Sequence, residues 1–286
     1  MIRILVLALA AQALLAQPNV VLRELIGAKQ TPLRRPSALA VGIGGLIYIS
    51  DTGNNRLIAV DTAGTVVLES SQGGSAGELR WPVGVAEGNG GRVYVADTGN
   101  KRIVEFTRLL EWKGELAVKD ESGSAVEPRF LAVDNVGDLF VYELDDAQMV
   151  RYDSFYNVVS RLGGQTGNYV SAPTSMCYSP AYGLLWTSQR TGELFHCDAF
   201  LNDPRRFSAI GNLNDLWQVT ARDSTVYLIA ESSLVRWDNG RLDSLTFEQL
   251  EIGPLKASDI RLDVSSTGLI YLLDTRRGSL HSLNWP

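Results

Sequence analysis

Asp51-Thr-Gly-Asn-Asn-Arg56 follows the apolar run Leu46-Ile-Tyr-Ile-Ser50, and Asp97-Thr-Gly-Asn-Lys-Arg102 follows Arg92-Val-Tyr-Val-Ala96. The two Asp stand 46 residues apart, and so do Pro36 and Pro82 upstream of them. Pro128 keeps the step, with Gly137-Asp-Leu-Phe-Val-Tyr-Glu143 in the same slot. Pro173 with Gly183-Leu-Leu-Trp-Thr-Ser188, then Thr225-Val-Tyr-Leu-Ile-Ala-Glu231, then Gly268-Leu-Ile-Tyr-Leu-Leu-Asp274, bring the number of units to six. A period of this length marks a repeat architecture in which each unit is one small supersecondary structure.

Within a unit, short β-rich runs alternate with Gly, Asn and Asp turns, and no 3.6-residue periodicity is sustained. The first unit reads as four strands: A at about 37–42, B at 46–51, C at 56–61 and D at 65–69. Turns this short force an antiparallel meander. A lone four-stranded sheet cannot bury both its faces, so the units are expected to stack face to face around an axis. The predicted fold is all-β, a six-bladed β-propeller of four-stranded antiparallel blades. The sixth unit ends after its C strand, Ser279-Leu-His-Ser-Leu-Asn-Trp-Pro286, while Asn19-Val-Val-Leu-Arg23 resembles the D strand Asn157-Val-Val-Ser-Arg161. Residues 19–26 are therefore expected to close the last blade, leaving no open edge.

Residues 1–16 have one early cation, Arg3, followed by an apolar run from Ile4 to Ala16 interrupted by Gln12. That run is short of the ~20 residues a spanning helix needs. It is predicted to be a secretory signal peptide cleaved after Ala13 or Ala16, which places the mature chain in the periplasm or outside the cell. The domain plan is a signal peptide at 1–16 and a single propeller at 17–286. A balance of 26 basic against 32 acidic residues argues against nucleic acid as a partner. No later segment reads as membrane-spanning, and a monomer is expected.

Tyr-Ile-Ser-Asp51-Thr-Gly-Asn-Asn-Arg56 and Tyr-Val-Ala-Asp97-Thr-Gly-Asn-Lys-Arg102 resemble the core of the NHL repeat, and Glu78-Leu-Arg-Trp-Pro82-Val-Gly-Val-Ala86 is similar to its lead-in. The resemblance extends partially to blade six (Asp274-Thr-Arg-Arg277). It implies a propeller, usually six-bladed, that serves as a binding or sensing platform; a minority of such proteins are metal-dependent enzymes. Amidating lyases of the wider superfamily use several channel histidines for zinc. The two histidines here, His196 and His281, read as lying on outer C strands. Lactonase-like propellers bind calcium through channel Glu, Asn and Asp, whereas the lead-in of the first blade here, Arg34-Arg35-Pro36, has no carboxylate.

The polar ring Asp51, Asp97, Glu143, Gln189, Glu231 and Asp274 invites a metal reading. Its members sit one strand outside the channel lining, on the order of 10 Å or more apart, whereas calcium ligands lie roughly 2.3–2.6 Å from one ion. The expected role is structural: each carboxylate accepts turn N–H groups and meets the Arg five residues on, as in Asp51 with Arg56 and Asp97 with Arg102. Gly73-Gly-Ser75-Ala-Gly77 matches a hydrolase elbow, but no helix follows it, so it reads as a flexible linker. Cys177 and Cys197 fall on strands A and C of one blade, too far apart to be bridged, and are expected as buried thiols.

The D–A links and B–C turns share one face. They place Arg276, Arg277, Arg35, Arg80 and Lys101 in a contiguous positive sector beside Trp81, with Glu127 and Asp215 on other blades. The expected function is non-catalytic capture of a protein or anionic polysaccharide through these eight residues, with no catalytic residue, metal or cofactor. The alternative is a calcium-dependent, lactonase-like hydrolase or lyase.

Overall fold

A computed structural model describes residues 23–26, 32–164, 170, 172–211, 213, 215–252 and 255–285. The expected signal segment 1–16, residues 19–22 of the expected closing strand, and the loop residues Ser171 and Asn214 lie outside the described residues. Six four-stranded antiparallel sheets form the molecule, each running A-B-C-D from the axis outward.

The innermost A strands are Ala38–Val41, Pro82–Gly88, Pro128–Val133, Pro173–Ser179, Leu216–Arg222 and Ile260–Val264. The B strands are Ile47–Asp51, Arg92–Asp97, Leu139–Glu143, Gly183–Ser188, Thr225–Ala230 and Leu269–Asp274. The C strands follow at Arg56–Val60, Arg102–Thr107, Gln148–Tyr152, Leu194–Cys197, Ser233–Asp238 and Ser279–Asn284. Five D strands close the chain order at Val66–Glu69, Trp112–Ala117, Val158–Gly163, Arg205–Arg206 and Arg241–Thr246. The sixth is supplied by the other end of the chain. Arg23–Ile26 pairs with the last C strand, Arg23 opposite Ser282, Glu24 opposite His281 and Ile26 opposite Leu280. The ring is closed by its own opening strand.

Both faces of the B strands are buried, because alternate side chains point into alternate interfaces between blades. Ile47 and Ile49 pack with Tyr271, Leu273 and Leu280 of blade six, whereas Tyr48 packs with Val85, Val93 and Val95 of blade two. Six such clusters fill the six blade–blade interfaces. Leu25 joins the cluster between blades six and one, so the closing strand contributes side-chain packing as well as backbone pairing. Among the described residues no helix is long and apolar enough to cross a membrane.

Three expectations are corrected. In blades four and five the residues opposite Pro173 and Leu216, the slot Asp97 holds opposite Pro82, are Ser188 and Ala230. Gln189 and Glu231 lie one step further on and are exposed. The repeat reading overshot because the carboxylate of that slot is replaced by Ser and Ala, and in blade five the B and C strands are joined by the two-residue turn Glu231-Ser232. The Gly-rich segment 73–77 is pinned. Ser71–Gln72 and Glu78–Leu79 pair as a short parallel ladder around it, and the Arg102 guanidinium donates to the carbonyls of Ser75 and Glu78. Cys177 is half-buried because it faces the central cavity; Cys197 is fully buried, and both thiols are free.

Candidate functional site

The Asp-Thr-Gly-Asn motif works as a joint between blades. Asp97 Oδ1 accepts the Arg80 N–H at 2.7 Å, and its Oδ2 accepts Asn100 Nδ2 at 2.8 Å and Arg102 Nε at 2.9 Å. Asp51 makes the same three contacts, with Arg34 N, Asn54 Nδ2 and Arg56 Nε. The Thr hydroxyl then reaches the next blade: Thr52 donates to Pro82 O and Thr98 to Pro128 O. The Gly admits the preceding link, since a Cβ at Gly99 would stand 2.7 Å from Arg80 O and one at Gly53 2.5 Å from Arg34 O. Asp274 accepts the N–H groups of Arg276 and Arg277. Glu143 departs from the pattern: it accepts the Tyr152 hydroxyl, and burial pushes its carboxyl up to about 7, against the opposing pull of Arg161. These acids are spent on structure and face no common centre.

The D–A/B–C face carries the eight residues expected to bind. Trp81 is 45% exposed, and its backbone is held left-handed (φ 51°) with its N–H donated to Asn55 Oδ1 at 2.8 Å. It borders a cleft of about 330 Å³ between blades two and three, together with Glu127, Arg129, Leu144 and Thr98. Arg80 precedes Trp81, with its side chain exposed over Gly99. Lys101 is drawn away, donating to Ala125 O at 3.1 Å and lying 3.9 Å from Asp145. Arg277 bonds Ile252 O and sits 3.7 Å from Asp274. Arg35, Arg276 and Asp215 are exposed, on blades one, six and five, outside the cleft. Only Trp81 and Glu127 of the eight meet in one concavity.

Sequence reading missed a second concavity, the central channel. A cavity of about 320 Å³ is lined by A strands of all six blades. Its polar wall holds Glu87, Thr220, Arg222 and Asp263, with the Cys177 thiol beside them. Asp263 Oδ2 accepts the Val41 N–H at 2.7 Å, and its Oδ1 accepts the Thr220 hydroxyl and the Val264 N–H, each at 2.8 Å. Glu87 Oε2 accepts the Ile43 N–H at 2.6 Å, while its Oε1 is buried with no hydrogen-bond partner. Burial first, and the Asp263 charge second, raise the Glu87 carboxyl above its ordinary range; the Ile43 N–H and Arg222 oppose them. Burial likewise raises Asp263 against its three hydrogen bonds. The available signal was a charge inside strands otherwise built largely of small and apolar residues; it is present in four of the six A strands, absent from blades one and four, and falls at no repeat position.

The NHL repeat family matches residues 79–106, the stretch running through strands A and B and most of C in blade two. The chain carries an NHL repeat within a six-bladed ring. No curated protein matches the sequence. Among solved structures, a gluconolactonase from Xanthomonas campestris is 14% identical, with a TM-score of 0.70 and coverage of 94% of this chain and 91% of that one. The virginiamycin B lyase of Staphylococcus aureus is also 14% identical, with a TM-score of 0.63 and coverage of 93% and 100%. At such identities the NHL-repeat chain and these enzymes share a fold.

Proposed function

We propose that this chain is an exported, non-catalytic binding propeller that captures an acidic strand, from a protein or an anionic polysaccharide, on its D–A/B–C face. The observation that carries this reading is the cleft beside Trp81. An exposed indole on a hydrogen-bonded, left-handed backbone is a rigid anchor that loses little entropy when it is covered. Arg80 and Arg129 flank it with cations suited to carboxylates or sulfates, and Leu144 adds an apolar edge. The signal-like segment 1–16 supports export to the periplasm or the medium. The test is binding of oligogalacturonate in one arm and an oligoglutamate peptide in the other. Capture should be lost in Trp81→Ala and in the Arg80→Glu/Arg129→Glu pair, with melting temperature nearly unchanged. Equal binding by all three proteins would remove the face from consideration.

A second reading, a calcium-dependent lactonase-like hydrolase or lyase, draws on the fold likeness and on the buried acids of the channel. The donors present do not fit that ion. Calcium takes six to eight oxygens, yet both Asp263 oxygens are committed to hydrogen bonds, and Glu87 Oε1 is the one buried channel carboxylate oxygen without a partner among the described residues, with Asp223 exposed at the rim. Among the described residues no three His, Cys, Asp or Glu side chains converge as a metal would require. A melting scan with calcium and then chelator separates the readings, since an ion bound only by the native state raises its stability.

A further inference from the structure

We infer that the channel is a second, independent site that takes a small zwitterion of the α-amino-acid type, entered from the face opposite the Trp81 cleft. The direction of access follows from what borders the cavity. Ile43, Asn89, Asn135, Pro180 and Asp223, from the A–B turns of five blades, all line it, whereas of the residues leading into the A strands Ser37 alone does. The other end is crossed by Arg261, whose Nε donates to Ser37 O of blade one and whose Nη1 donates to Ser258 O and Ile260 O. That guanidinium is held by backbone carbonyls and bridges blade six to blade one.

Space in the channel comes from small side chains at the strand slots that face it: Ala40, Ala86, Ala132 and Cys177 occupy one level, where Thr220 and Asp263 complete the ring. The volume sits at the lower end for small-molecule sites, which run from roughly 300 to 1,000 Å³. It suits one amino acid rather than a polymer.

The chemistry follows from which polar atoms are already used. Asp263 is saturated by hydrogen bonds and offers a ligand no free acceptor. Glu87 Oε1 is a buried acceptor without a donor, a state that native proteins rarely leave unexplained. Arg222, at the A–B end, is close enough for its charge to act on both Glu87 and Asp263, yet it forms no ion pair within 4 Å among the described residues. Two buried carboxyl groups, with Asp223 at the rim, thus face one cation that has no ion pair. A ligand ammonium donating to Glu87 Oε1 would satisfy the orphaned acceptor. A carboxylate on the adjoining carbon would occupy Arg222, and Val41, Val133 and Met176 offer apolar wall to the remainder. Neither a plain amine nor a plain acid satisfies both groups.

The experiment uses the full mature chain and a panel of free α-amino acids. Each is compared with the amine lacking its carboxylate and the 2-hydroxy acid lacking its ammonium. At about 10 mM, at least one amino acid should raise the melting temperature by about 3 °C, and its two truncated analogues should bind at least tenfold more weakly. Arg222→Met and Glu87→Gln should each weaken that amino acid at least tenfold in calorimetric titration, while Trp81→Ala leaves it unchanged. Should Arg222→Met fail to fold, Arg222→Gln, which keeps a polar end and loses the charge, serves the same purpose. The inference is overturned if no amino acid shifts the melt, if amine or hydroxy acid binds equally well, or if the folded Arg222 variant binds as the parent does. Loss of polymer capture with amino-acid binding intact would fail only the proposal for the Trp81 face.

Discussion

Asp97 shows how one residue of the repeat holds two blades in register. Its carboxylate collects the preceding link, the turn and the strand C arginine, and the next residue, Thr98, ties blade two to blade three. Breaking a buried pair of this kind costs roughly 3–5 kcal/mol. Asp97→Ala is therefore expected to lower the melting temperature by about 10 °C, whereas Glu231→Ala, one step beyond the corresponding slot and exposed, should change stability by less than about 0.5 kcal/mol. Calorimetric melts of the two variants check the corrected register. Glu143 makes a pH prediction. Its carboxyl is raised to about 7 in the folded chain from an ordinary 4.5, so its contribution is fully present below about pH 4.5 and is lost as pH rises through 7. Urea melts should show wild type losing roughly 3 kcal/mol over that window relative to Glu143→Gln. A flat difference between the two would mean the carboxyl titrates normally.

At the scale of the strand and blade, most of the architecture was legible. The first blade's four strands fall within a residue or two of their expected positions, because Gly, Asn and Asp punctuate runs whose length admits little else. Register was legible where Asp-Thr-Gly-Asn survives and slipped by one where Ser188 and Ala230 replace the acid, since nothing in an apolar run marks which residue is opposite which. The pinned Gly-rich loop was not legible either. Its order depends on Arg102, a residue 25 or more positions away whose second use of its guanidinium leaves no trace in the loop's own composition. The closing strand is an element with its own test. Leu25 is 6% exposed among Tyr271, Leu273 and Leu280. Leu25→Ala should cost about 2–5 kcal/mol in chemical denaturation, as for a core leucine, and a loss below ~0.5 kcal/mol would argue that the strand is a loosely held tail.

For the molecule as a whole, the ring gives two faces with different chemistry. The loop face was readable because its residues lie in turns at repeat positions, and the structure gathers Trp81 and Glu127 there while diverting Lys101 and Arg277 into internal contacts. The channel was not readable, because Glu87, Arg222 and Asp263 come from three blades and from three different slots along strand A, a convergence that only closure of the ring creates. Both sites therefore depend on which strand is joined to which at the seam. Antiparallel partners lie about 4.5–5.5 Å apart at Cα, within the range a disulfide spans, and Arg23 stands opposite Ser282. The decisive measurement is oxidation of an Arg23→Cys/Ser282→Cys chain, with Cys177 and Cys197 replaced by Ser and Ala, followed by proteolysis and mass spectrometry. A single intrachain peptide joining positions 23 and 282 is the predicted product. Thiols that stay free, or that link only between two chains, would contradict the closed ring and with it both faces described above.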